Sequence, residues 1–104
     1  MKNILLGNAF SLQMLDLDKE TTVKVAPVAE AEVAKSGFKS VVGHQDTANV
    51  LTTLLGVEVA CNRESVRLED GDVLYVAQVT GGRLPEGATT LPAGMELVFL
   101  KVTL

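Results

Sequence analysis

The chain has 104 residues, of which 47% are hydrophobic, and its 13 acidic and nine basic side chains give a net charge of −4. This length and composition predict one globular domain that spans residues 1–104, and they exclude an intrinsically disordered chain. Duplex nucleic acid is excluded as a partner because its binding requires a cluster of basic side chains, whereas a small anionic ligand held by a few arginines remains compatible with this charge.

The first half of the chain contains four predicted elements: strands over 3–10 and 21–28, a helical turn over 11–15, and a short helix over 29–37. Ser11 is placed to act as the N-cap of the helical turn. The second strand ends near Pro27, which lacks the N–H group that a sheet ladder needs. Strong helix formers followed by Gly37 favour the short helix.

The middle of the chain predicts the longest helix. Residues 38–43 are compatible with a short strand or with an extended lead-in. From Asp46 onward, apolar residues recur at helical spacing until Gly56, which is typical of an amphipathic helix with a glycine after its last turn.

Three further strands are predicted over 65–69, 72–80 and 95–104. The first two flank Asp70-Gly71, a strong signal for a β-hairpin. Residues 81–94 hold four glycines and two prolines and predict a long loop, which is typical of a functional lid. The fold class is therefore α+β: a single small domain with a mixed, mostly antiparallel sheet of about five strands and two main helices.

The single cysteine, Cys61, excludes an internal disulfide and a cysteine-based zinc site, which suits a reducing cytoplasm. The apolar stretch at 4–6 is too short for the core of a signal peptide, and no window approaches about 18 uninterrupted apolar residues. These features predict a cytoplasmic protein that does not associate with membranes.

His44 is the only histidine and stands between Gly43 and the predicted long helix. A single histidine is most often a surface or structural residue, and composition alone leaves that interpretation open. A helix N-terminus nevertheless binds anions through its free N–H groups, and Gly43 leaves room for a ligand to approach the backbone. An imidazole at this place can donate a proton to a leaving oxygen when a bound anion keeps it protonated.

Three charged side chains are further candidates. Arg63 precedes the predicted hairpin, and Arg83 lies in the glycine-rich loop three residues before Glu86. Solvated surface positions explain each of them as well. A loop tip stiffened by Pro85 between flexible glycines is, however, what a lid that carries a cation and a carboxylate requires.

Polar residues after the first strand have two interpretations, since Asn8 and Ser11 either cap the helical turn or bind a ligand. The acids at 16, 18 and 20 are interpreted as a solvated turn rather than a metal site. The sequence contains no nucleophile elbow, phosphate-binding loop, zinc spacing or dinucleotide fingerprint. The remaining candidates favour acid–base or anion chemistry without metal or other cofactor.

Four short stretches, taken together, resemble a known family. They are LGNAFSLQML at 5–14, GHQDTANVLTTLLG at 43–56, NR at 62–63 and GRLPEG at 82–87. In order and spacing they resemble the viral type III anti-CRISPR ring nucleases, a family that also has cellular members. The resemblance implies a homodimer that binds cyclic tetra-adenylate, the second messenger of type III CRISPR defence. It also implies metal-free cleavage to linear di-adenylate with 2′,3′-cyclic phosphate ends.

The same resemblance implies the roles of individual residues. His44 and Glu86 are the implied catalytic residues. The implied ligand-binding residues are Asn8, Ser11, Gly43, Thr47, Arg63, Gln78 and Arg83. Asp46 follows at a position where other members vary; it could cap the helix, but an acid there would also repel phosphate.

In the implied reaction the ribose 2′-OH attacks the neighbouring phosphate in line, and His44 protonates the departing 5′-oxygen. The two arginines neutralise phosphate charge, and Glu86 takes the 2′-OH proton or orients that group. The alternative is a non-catalytic module that binds, sequesters or senses the messenger, which needs Arg83 but no proton donor at His44.

The sheet edges and an apolar helix face formed by Leu51, Leu54 and Leu55 exceed what one small core is expected to absorb, and they predict a homodimer. A cyclic ligand with two-fold symmetry suits such a dimer because each subunit presents the same site. A viral antagonist, acting in the host cytoplasm, and a host off-switch would share this chemistry, so the sequence leaves that role open.

Overall fold

Within residues 3–82, 84 and 86–104, which the computed structural model describes, five strands form one mixed sheet at the centre of the protein. The strands are β1 (Ile4–Gly7), β2 (Lys24–Pro27), β3 (Lys39–Ser40), β4 (Val73–Thr80) and β5 (Glu96–Thr103). Their order across the sheet is β2-β5-β4-β1-β3. β1 is parallel to β3 and β4, whereas β5 is antiparallel to β4 and β2. The predicted α+β class and mixed sheet are confirmed, and the longest pairing, β4 with β5, is antiparallel.

β4 is the most buried strand because both of its faces are covered. Its first five residues, 73–77, are all buried. Leu74 and Val76 belong to one apolar cluster, while Tyr75 and Ala77 belong to the other, as the alternation of side chains along a strand requires. The unbroken apolar run in the sequence is what a strand covered on two faces needs.

Two α-helices in the described part of the chain, α1 (Glu30–Ala34) and α2 (Gln45–Leu55), pack into the apolar cluster on one face of the sheet. α2 ends at Gly56, whose φ of 71° is a left-handed conformation that glycine adopts readily. Leu51 and Leu55 are only 0% and 8% exposed, whereas Leu54 is 39% exposed. The helix face that predicted a dimer is therefore largely used within the core, and this part of the reasoning was wrong.

The opposite face of the sheet is covered by irregular segments, which contribute Phe10, Met14, Val23 and Val66 to the second apolar cluster. A short 3-10 helix over Leu12–Met14 lies among them. It begins after Ser11, whose Oγ accepts a hydrogen bond from the N–H of Gln13 at 3.2 Å. The predicted helical turn with its N-cap is confirmed.

The predicted hairpin between 65–69 and β4 was wrong. The turn at Asp70-Gly71 exists, and the N–H of Asp72 donates to the carbonyl of Glu69 at 3.0 Å. However, β1 and β5 occupy both edges of β4, so no edge is left for a third strand. The preceding segment crosses the sheet face instead, and the N–H of Leu68 donates to the carbonyl of Met14 at 2.7 Å.

A polar cluster joins α1 to the sheet. The hydroxyl of Tyr75 in β4 donates to Oε2 of Glu32 in α1 at 2.9 Å, and Nζ of Lys101 in β5 lies 3.6 Å from the same oxygen. Burial of the phenol and the neighbouring Glu32 carboxylate together raise the pKa of Tyr75 to about 12. The phenol therefore stays protonated as a donor at neutral pH and holds the five-residue helix in place.

The remaining predicted elements are shorter than expected. The strand predicted over 21–28 is β2, an edge strand whose four residues are all exposed, and the segment 38–43 contains the two-residue strand β3. No helix in the described ranges is long and apolar enough to cross a membrane.

Candidate functional site

The candidate site forms at the carboxyl ends of the parallel neighbours β1 and β3. Asn8 directly follows β1, and Gly43 and His44 follow β3 after two buried valines. The side-chain Oδ1 of Asn8 accepts a hydrogen bond from the N–H of Gly43 at 3.3 Å. Ligands in α/β sheets commonly bind outside the carboxyl ends of parallel strands, so this edge is where a site is expected.

His44 occupies the N-cap position of α2, with an extended backbone (φ −132°, ψ 124°). Its side chain makes no capping hydrogen bond and is exposed. Its carbonyl accepts from the N–H of Ala48 at 3.0 Å, which starts the helix. The imidazole is thus available to a ligand beside the positive end of an eleven-residue helix.

Two clefts meet at Asn8 and His44. The larger has a volume of about 790 Å³ and extends from the start of α2 to the lid loop, which we define as residues 81–94. Its lining residues are Asn8, His44, Asp46, Thr47, Val79, Gly82, Leu84 and Glu86. The smaller, of about 350 Å³, is lined by Asn8, Val41, Gly43, His44, Arg63 and Glu64. Together the two clefts bring six of the predicted site residues to the carboxyl end of β1 and β3. They are Asn8, Gly43, His44, Thr47, Arg63 and Glu86.

Arg63 is held beside Gly43 by the chain that precedes it. A bridge between Val42 and Cys61 aligns the two segments, and the N–H of Asn62 donates to the carbonyl of Val42 at 2.8 Å. The side-chain amide of Asn62 also donates to the carbonyl of Ser40 at 2.9 Å. A Cβ on Gly43 would lie 3.2 Å from Cγ of Arg63, so the glycine makes room for the arginine stem.

Glu64 stands next to Arg63 but is engaged with a different cation. Its Oε1 lies 3.0 Å from Nζ of Lys39, and both side chains are well exposed. The hydrogen bond and charge of Lys39 lower the pKa of the Glu64 carboxyl below its usual value. Glu64 therefore pairs with β3 at the rim of the smaller cleft, while Arg63 is an exposed residue.

Two predicted ligand-binding residues lie away from these clefts. Ser11 caps the 3-10 helix and lines a separate groove of about 690 Å³. Gln78 is exposed on β4, where its Nε2 donates to the carbonyl of Val79 at 3.4 Å. Because neighbouring side chains on a strand point to opposite faces, Val79 lines the larger cleft and Gln78 does not. The predicted residue Arg83 lies outside the described residues.

Sequence reasoning did not assign Asp46 to the site, although it lines the larger cleft. Its Oδ1 accepts a hydrogen bond from the N–H of Gly87 in the lid loop at 3.0 Å. In the sequence, Asp46 is recognisable only as an acid in the first turn of α2, where a negative charge stabilises the helix. Its long-range partner follows only from the folded position of the loop.

Asp18 and Glu20 are exposed and Asp16 is half-buried, and Oδ1 of Asp16 accepts an exposed hydrogen bond from the N–H of Asp18 at 3.0 Å, as in a solvated turn. Among the residues that the structure describes, no group of three or more His, Cys, Asp or Glu side chains is arranged to hold a metal ion.

Comparison with known proteins places these observations in a family context. The family described as STIV B116-like matches residues 4–101. B116 of Sulfolobus turreted icosahedral virus (STIV) has a similar fold, with a TM-score of 0.77, 24% sequence identity, and coverage of 98% of this chain and 99% of that chain. "Uncharacterized protein 26" of Sulfolobus islandicus filamentous virus (isolate Iceland/Hveragerdi) is 38% identical over 69 residues. That match covers 66% of this chain and 55% of the relative, so the chain spans about half the length of that relative.

Proposed function

Because this chain belongs to the STIV B116-like family, and because His44 and Glu86 line one cleft at the edge of its sheet, we propose that it is a metal-independent ring nuclease. Its proposed substrate is cyclic tetra-adenylate, which it cleaves to linear di-adenylate with 2′,3′-cyclic phosphate ends. Both relatives named above are viral proteins, which supports the role of a viral antagonist of type III CRISPR signalling in the host cytoplasm.

The observation that carries the proposal is the shared cleft of His44 and Glu86. In the reaction, the ribose 2′-oxygen forms a bond to the adjacent phosphorus, and the bond from phosphorus to the 5′-oxygen breaks. Glu86 accepts or orients the 2′-OH proton, and His44 supplies a proton to the departing 5′-oxygen. Atoms and charge balance without a further reactant, because the product retains the phosphate as a 2′,3′-cyclic ester.

Anion binding at this edge supports the same chemistry. The N-terminal turn of α2 presents backbone N–H groups and a positive dipole end to a phosphate. Arg63 adds a guanidinium at the rim, next to the Asn8–Gly43 hydrogen bond. A phosphate held there would lie beside the His44 imidazole, which lines both clefts.

A homodimer remains part of the proposal. One chain offers one His44, one Arg63 and one Glu86, whereas a cyclic ligand with two-fold symmetry presents each phosphate environment twice. Two copies related by a two-fold axis would supply a matching pair of sites. Exposed apolar side chains outside the helix face, Val25 at 56% and Val98 at 43%, are available for such an interface.

The test is single-turnover cleavage of labelled cyclic tetra-adenylate beside a direct binding assay. His44→Ala should slow cleavage by at least about 100-fold while binding persists, because the helix N–H groups and arginines still hold the phosphates. Gln45→Ala is the matched control, since Gln45 is next along the chain, lies outside both clefts and bonds to Asn49. Binding without cleavage by the unmodified protein would favour the sequestering module instead, and an unchanged rate in His44→Ala would remove His44 from the mechanism.

A further inference from the structure

The hydrogen bond between Asp46 and Gly87 joins the body of the protein to the lid loop. Asp46 is in the first turn of α2, and Gly87 lies 41 positions further along the chain, directly after Glu86. We propose that Asp46 is a positioning residue that latches the lid loop so that Glu86 faces His44. This role in catalysis rests on the proposed function, whereas the latch itself does not.

Peptide geometry explains how the latch would act on Glu86. The peptide unit between residues 86 and 87 is planar, and the same plane contains the Cα of Glu86 and the N–H of Gly87. A hydrogen bond of 3.0 Å to that N–H therefore fixes the plane from which the Glu86 side chain departs. Gly87 itself has a φ of 80°, a left-handed conformation that glycine adopts readily.

The base of the lid loop is fixed at a second place. Gly81 has a φ of 92°, and a Cβ there would lie 2.7 Å from the carbonyl oxygen of Gly94. The two ends of the loop thus approach more closely than any side chain would allow. Among the described residues, Asp46 makes the one hydrogen bond that ties the loop tip to α2. Within the described part of the loop, this contact joins Gly87 to α2, while the glycines bring the two ends of the loop together.

The latch also gives a reason for the Asp46 carboxylate to lie in a cleft that we propose binds phosphate. A negative charge in the first turn stabilises α2 but repels an incoming phosphate. As a charged acceptor, the carboxylate makes a shorter and stronger hydrogen bond to a backbone N–H than a neutral group does. Asparagine at this position would keep an acceptor and remove the repulsion, so charge and latch can be separated by substitution.

The first experiment measures the latch without any ligand. Hydrogen exchange of the Gly87 amide is compared in the unmodified protein, Asp46→Ala, Asp46→Asn and Glu20→Ala, the last removing an exposed acid outside the clefts. Exchange should quicken about 3- to 10-fold in Asp46→Ala, as expected for loss of one exposed hydrogen bond, and should change less in Asp46→Asn. Equal exchange in Asp46→Ala and the unmodified protein would overturn the latch.

The second experiment asks whether the latch acts through Glu86. In single-turnover cleavage, Asp46→Ala should lower the rate about 3- to 10-fold, and Asp46→Asn should restore most of it. In a Glu86→Gln background the same alanine substitution should have little further effect. Additive losses would show a general structural defect and overturn the positioning role. If the unmodified protein does not cleave the messenger, the proposed function and the positioning role both fail, while hydrogen exchange still decides the latch.

Discussion

Replacing Asp72 by alanine removes a buried carboxylate that ties β1 to the start of β4. Asp72 is 2% exposed, and its two carboxylate oxygens accept from the N–H of Asn3 at 3.0 Å and the N–H of Glu69 at 2.9 Å. Hydrogen bonds to charged groups each contribute about 1.5–3 kcal/mol. Because both hydrogen bonds are only part-buried, we use the lower end of this range for each. We expect Asp72→Ala to lower the free energy of unfolding by about 3 kcal/mol.

The free energy of unfolding that Asp72→Ala removes should be larger at neutral pH than at acidic pH. Burial by itself raises the pKa of Asp72, but the N–H groups of Glu69 and Asn3 stabilise the charged form, so that the pKa of Asp72 lies below its usual value. The carboxylate therefore contributes stability above the unfolded pKa of about 3.9. That contribution disappears as the pH falls through the lower folded pKa. The difference between the two proteins should be constant from about pH 7 to pH 5 and shrink below about pH 4.

The assay is urea unfolding followed by circular dichroism at pH 7, 5 and 3. Asp70→Ala provides the matched control, because Asp70 is an exposed acid in the same turn and should change stability by less than about 0.5 kcal/mol. A loss under about 1 kcal/mol in Asp72→Ala at pH 7 would contradict the strength assigned to the two hydrogen bonds. A loss of equal size at pH 3 and pH 7 would refute the argument from charge.

Three further predictions concern the proposed site. Excess EDTA should leave cleavage of cyclic tetra-adenylate unchanged, and loss of activity that a divalent ion restores would contradict the metal-free mechanism. Light scattering at micromolar protein should give the mass of a dimer, and a monomeric mass with and without ligand would count against the two-fold site. Gly43→Ala places a Cβ 3.2 Å from Cγ of Arg63 and should therefore displace the arginine. We expect ligand binding to weaken about 3- to 10-fold with little change in melting temperature, and unchanged affinity would contradict the placement of Arg63.

The sequence predicted the elements whose signals are local. Helical spacing followed by Gly56 indicated α2, and the apolar run at 73–80 indicated β4, because both patterns are set by neighbours along the chain. The partner of β4 could not be predicted in this way. Asp70-Gly71 does form a turn, but pairing depends on which strands bury the most apolar surface against β4, and β1 comes from far away in the sequence.

For the candidate site too, the sequence predicted what local signals determine and missed contacts that depend on the whole fold. His44 and Glu86 lie at loop and helix boundaries that the sequence indicates, and the structure brings both to one cleft. The role of Gln78 in ligand binding stays a prediction; its neighbour Val79 lines this cleft, and the face on which a strand residue lies depends on register. The contact of Asp46 with Gly87 depends on the path of the whole lid loop, which no short motif encodes.

The position of β1 between β3 and β4 has a consequence for how quickly the chain reaches its native state. Asn3 is joined to Asp72, 69 positions along the chain, while β4 and β5 pair as neighbours in sequence. Closing the longer loop costs more entropy, and chains rich in such distant pairings fold slowly. We therefore expect the β4–β5 pair to form early in refolding and β1 to dock late. Since Asn8 and Gly43 meet only when β1 lies beside β3, refolding should restore ligand binding after most of the strand signal has returned.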